Sequence, residues 1–78
     1  MNKYIATFHT HYGAIVFQKF CERENIEAKM MPVPREISAS CGVCVNYSAQ
    51  YPCSENVHVD MEYCYYIAEN GAFMQVES

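Results

Sequence analysis

The residues of this chain that are able to do chemistry gather in one stretch, Pro32-Val33-Pro34-Arg35-Glu36-Ile37-Ser38-Ala39-Ser40-Cys41-Gly42-Val43-Cys44. It carries a Cys-x-x-Cys pair at Cys41 and Cys44, a permanent cation at Arg35, and the hydroxyls of Ser38 and Ser40. A thiolate is a nucleophile, and nearby cations and helix N-termini favour it over the thiol. The serine hydroxyls are placed to donate to a thiolate, a persulfide or a selenium-bearing group. Pro32 and Pro34 set their own φ and push Met31 and Val33 toward extended geometry, so the chain leaves the preceding strand stiffly. Gly42 allows a tight turn or a close approach to a bound group. Read without chemistry, the same stretch is a proline-stiffened loop with a buried cysteine, and a single Cys-x-x-Cys is a weak signal.

Two further chemistries use these residues. Cys41 and Cys44 closing a reversible disulfide would make a thiol–disulfide redox protein. The usual redox Cys-x-x-Cys opens a helix, whereas this pair opens a strand. Cys41, Cys44, Cys53 and a histidine would make a four-ligand zinc set, but Cys53 belongs to no second metal-binding pair, so no metal is expected. A reading of another class is a protein-interaction module, its cysteines structural and its sheet edge open to strand addition.

Composition narrows the field. With 78 residues the chain is one domain, 1–78, and 51% hydrophobic residues suffice for a packed globule. The net charge of -4 and the lack of a basic stripe argue against nucleic-acid binding. No apolar run approaches the roughly 20 residues of a membrane span. His9, Thr10 and His11 interrupt any apolar core of a secretory leader, so the five cysteines read as reduced, cytoplasmic thiols.

The elements that position the thiols follow from patterning. Residues 4–8 read as a central strand, being apolar, β-branched and aromatic almost throughout. Thr10 is a helix N-cap, and residues 12–24 a helix with Ala14, Phe17 and Cys21 on its apolar stripe, widened by Ile15 and Phe20. Asn25 tolerates the left-handed conformation that stops a helix. Strands follow over 26–31 and 43–47. Residues 56–70 are ambiguous: Val57, Val59, Met61 and Tyr63 alternate as in a strand, while Val57, Met61, Cys64 and Ala68 fit a helix. Length and the Asn70-Gly71 terminus favour the helix. A last strand over 72–76 completes a βαββαβ order. That is the ferredoxin-like α+β fold, a four-stranded antiparallel sheet with both helices on one face. A small sheet with exposed edges also lets two copies pair as a homodimer.

The run Pro32-x-Pro34-Arg35-x-Ile37-Ser38-x-x-Cys41-Gly42 resembles the signature of the small bacterial selenium/sulfur carrier protein-like family. The resemblance points the same way for the second helix and the last strand. It implies a cytoplasmic carrier, without cofactor, that holds sulfur or selenium on Cys41 as a persulfide or selenium-bearing thiol. The implied partner is a sulfur or selenium donor protein such as a cysteine desulfurase. Cys41, Arg35 and Cys44 are then the candidate catalytic residues, with His9, Thr10, His11, Pro34, Ser38, Ser40 and Gly42 against the transferred group. The expected topology brings the loop after the first strand to the same end of the sheet as the 35–44 loop. His9 or His11 would serve there as base or partial cation, and the helix N-terminus would favour a thiolate. If the third strand begins after Cys44, the two thiols can meet. If it begins earlier, Cys44 is core and Cys41 acts alone.

Overall fold

Tyr4-Ile5-Ala6-Thr7-Phe8 is buried at every position, so both faces of this segment are covered and both of its edges need partners. The computed structural model describes residues 1–37, 39–51 and 60–76. In it this segment belongs to β1 (Asn2–Phe8), followed by α1 (His11–Arg23), β2 (Ala28–Pro32), β3 (Val43–Ala49), β4 (Met61–Ile67) and β5 (Phe73–Gln75). The strands form one sheet in the order β2-β3-β1-β4-β5, every neighbouring pair antiparallel.

The first four elements follow the expected βαββ order. Thr10 caps α1, its side chain accepting from the Gly13 N–H at 3.1 Å. Asn25 closes it with φ 59°. Ala14, Phe17 and Cys21 are buried as the stripe requires, whereas Ile15 stands off it at 38% exposed and does not widen it. Pro32 ends β2, an edge strand, where a proline is tolerated.

The second half departs from the ferredoxin-like expectation. Among the described residues there is one helix, and the sheet has five strands rather than four. Residues 61–67, expected in a second helix, form β4; Val57 and Val59 lie outside the described residues. The reason is the needs of β1. Its second edge is filled over Lys3 to Phe8 by β4, whose tyrosines and isoleucine suit a pleated surface. The last strand, expected over 72–76, is β5 of only three residues and pairs β4 rather than β1. Instead Asn70-Gly71 forms a hairpin turn. Gly71 adopts φ 89°, the Ala68 N–H donates to the Ala72 carbonyl at 2.9 Å, and the Asn70 side chain accepts from the Ala72 N–H at 3.0 Å. A helix terminus and a tight turn want the same residues, so Asn70-Gly71 fits either.

The sheet is packed on both faces. On one, Phe17 of α1 meets Phe8 and Tyr47, both ring pairs at 5.3 Å, and Tyr4, Ala6, Val45 and Cys64 complete the cluster. The buried Tyr47 hydroxyl lies 3.2 Å from the Cys64 sulfur. On the other face Ile5 and Cys44 are covered by Ile37 of the β2–β3 loop, with Met31, Val33, Tyr65, Ile67 and Phe73 around them. Among the described residues no helix is long and apolar enough to cross a membrane.

Candidate thiol site

The loop that carries Cys41 is built in three steps. Just after β2, a turn is closed by the Ile37 N–H donating to the Pro34 carbonyl at 3.2 Å, which leaves Arg35 and Glu36 exposed. Ile37 then turns inward, 9% exposed, over Ile5 and Cys44. Ser40 next reaches across to β4. Its N–H donates to Glu62 Oε1 at 2.9 Å and its hydroxyl to Glu62 Oε2 at 2.6 Å. Cys41 follows directly, a free and half-buried thiol. The Val33 N–H donates to the Gly42 carbonyl at 3.2 Å, and β3 begins at Val43.

Because β3 begins there, Cys44 lies within the strand and is fully buried. Its sulfur is 3.7 Å from the Pro32 carbonyl oxygen, and burial pushes the thiol up to about 11. A thiol in that state is protonated at neutral pH and a poor nucleophile. Cys21 and Cys64 are buried as well, on the helix-covered face. Cys41 is therefore the one described cysteine that is not buried. Ser38 and Cys53 lie outside the described residues. Among the described residues no group of three metal-ligating side chains exists. Gly42 is exposed, its φ is not left-handed, and a Cβ there would meet open space, so its conformation does not call for glycine.

The loop after β1 does come to the same place, and two acidic residues tie it in. His9 Nδ1 lies 4.0 Å from Glu62 Oε2, so one carboxylate joins His9 to Ser40. The Ser40 hydroxyl and N–H, with His9, hold the Glu62 carboxyl below the usual carboxylate range. Asp60 fills the N-terminus of α1. Its Oδ2 accepts from the Thr10 hydroxyl at 2.7 Å and from the Thr10 N–H at 3.2 Å, and a Cβ on Gly13 would fall on that carboxylate. The helix end expected to favour the thiolate thus acts on Asp60. Thr10 is fully engaged as cap and Asp60 donor, while His11 is exposed at the start of α1 and Arg35 at its turn.

Asp60 and Glu62 are the site residues that sequence reasoning missed. Their signal was present as two acids at strand spacing, but reading 56–70 as a helix put them on different faces and away from the thiol loop.

Residues 3–57 match the family model described as Putative Se/S carrier protein-like, a span that takes in β1, α1, β2, the thiol loop and β3 and stops before β4. No curated protein and no solved structure matches the chain. With its thiol loop inside that span and most of its length covered, the chain belongs to the Putative Se/S carrier protein-like family.

Proposed function

We propose that this protein carries sulfur or selenium on Cys41. The observation that carries the reading is the division of the described thiols: Cys21, Cys44 and Cys64 are buried, and Cys41 stands half-exposed on an anchored loop. Family membership supplies the cargo class. For sulfur, the Cys41 thiolate attacks the outer sulfur of a donor persulfide, R–S–SH. The donor S–S bond breaks and the donor thiolate leaves, taking up the proton that Cys41 gave. Cys41 becomes Cys41–S–SH, with no net oxidation. Arg35, exposed beside the loop, would attract the anionic donor group, and His9 or His11 would take or return the proton. A donor of the cysteine desulfurase type fits this step. The dithiol alternative is disfavoured by the burial of Cys44.

The test is intact mass after incubation with a cysteine desulfurase loaded with sulfur as R–S–SH or with selenium as R–S–SeH, whose outer atom is already at the oxidation level that Cys41 takes up. The expected result is a gain of one sulfur or selenium that maps to Cys41 and is absent from Cys41→Ser. No gain, or an equal gain in Cys41→Ser, refutes the reading.

A further inference from the structure

We infer that Glu62 is a positioning residue for Cys41, a latch that holds the thiol loop in place through Ser40. Two independent features carry this. The first is backbone irregularity. Thr7 pairs with Tyr63 and Phe8 with Met61, which makes Glu62 the extra residue of a β-bulge in β4. Bulges re-aim a side chain out of the regular alternation. Here the neighbouring ladder is secured by the buried Thr7, whose Oγ1 accepts from the Tyr63 N–H at 3.1 Å. The second is what the re-aimed carboxylate does. Both of its oxygens are used by one residue of the thiol loop, at 2.9 and 2.6 Å. That residue is Ser40, bonded covalently to Cys41.

The Glu62 side chain is only 13% exposed, against 54% for His9. It is thus clamped between Ser40 from the loop and His9 from the β1–α1 junction. Tyr65 of the same strand feels its charge. The loop reaches from the edge strand β2 past β3 and β1 to touch β4, so a single carboxylate ties its far end to the other half of the sheet. Ile37 pins the loop at its middle and Glu62 just before the thiol. Glu62 also lies outside the stretch matched by the family, which ends at residue 57.

The latch is tested on the full chain with Glu62→Gln and Ser40→Ala, and the consequence for loading rests on the carrier reading above. The Ser40 amide proton shift is followed against pH. In the wild type it should titrate with an inflection below the ordinary carboxylate value of 4.5, and in Glu62→Gln that inflection should vanish. Cys41 alkylation by iodoacetamide should quicken about tenfold in Glu62→Gln, which corresponds to ~1.4 kcal/mol of lost closure, and by a smaller factor in Ser40→Ala, which keeps the amide bond to Glu62. Loading from a persulfide-bearing desulfurase should fall relative to alkylation. Ser40→Ala keeps the carboxylate and the amide bond at 2.9 Å but loses the hydroxyl bond, which separates the causes: a tenfold rise in Glu62→Gln with none at all in Ser40→Ala means the charge acts on the thiol directly, and the latch is wrong. An unchanged Ser40 titration, or alkylation that rises only with the unfolded fraction, also overturns it. A wild type that takes up no sulfur sinks the carrier reading alone, because the amide and alkylation measurements still decide the latch.

Discussion

Gly13→Ala gives the most direct test of the acidic clasp at the start of α1. On helix propensity alone this change should stabilise the protein by about 1 kcal/mol, since glycine is the poorer helix former. The structure reverses the sign. The new Cβ would fall on the Asp60 carboxylate and would lie 2.9 Å from the Asp60 Cβ, so rotating the carboxylate away does not make room. Asp60 must leave the helix end, losing its bonds from the Thr10 hydroxyl and N–H at 2.7 and 3.2 Å. At about 1 kcal/mol each, plus about 0.5 kcal/mol for a carboxylate at a helix N-terminus, that loss outweighs the propensity gain. The expected net effect is a destabilisation of about 1–2 kcal/mol, or roughly 5–15 °C in a domain of this size. In an Asp60→Gly background, which removes the Cβ at 2.9 Å as well as the carboxylate, the new side chain has room, and Gly13→Ala should instead stabilise by about 1 kcal/mol. Urea melts of the four proteins close the cycle, with an expected coupling of about 2–3 kcal/mol. A Gly13→Ala protein more stable than wild type, or one with the same effect in both backgrounds, would refute the placement of Asp60.

Cys44 predicts an alkaline loss of stability. Its folded thiol is raised from 9.0 to about 11, so the stability it contributes is full below pH 9 and is lost as pH climbs toward 11. Two units correspond to on the order of 3 kcal/mol, so Cys44→Ala should lessen the fall in stability between pH 9 and 11, to which the raised Tyr65 also contributes; equal slopes in the two proteins would show that Cys44 is not buried as a thiol. In the native protein at neutral pH, Cys41 should alkylate before Cys21, Cys44 and Cys64, which need local opening; peptide mapping that finds any of the three labelled first removes the case for an accessible Cys41. Phe17→Ala should cost about 3–5 kcal/mol, the range for a buried phenylalanine, because the ring is fully buried against Phe8 and Tyr47; a chemical-denaturation loss under 1 kcal/mol would mean the helix does not pack as described.

Much of the first half of this protein was legible in the amino-acid order. The apolar run at 4–8, the Thr10 cap, the Ala14-Phe17-Cys21 stripe and the Asn25 stop are local signals, and each depends on backbone preferences within a few residues. The candidate nucleophile was equally local, since Cys41 follows two prolines, an arginine and two serines in a recognisable run. The second half was decided by tertiary structure. Residues 61–67 satisfy strand and helix patterns together, and the unfilled edge of β1, which no local window contains, selected the strand. The same decision created the anchoring of the site. Once β4 lies beside β1, Asp60 comes to the helix N-terminus and the bulge turns Glu62 toward Ser40 and His9, residues 22 and 53 positions away. Likewise Cys44 and Cys41 look alike in sequence, and only the point where β3 begins and the covering Ile37 make one a core residue and leave the other within reach of solvent.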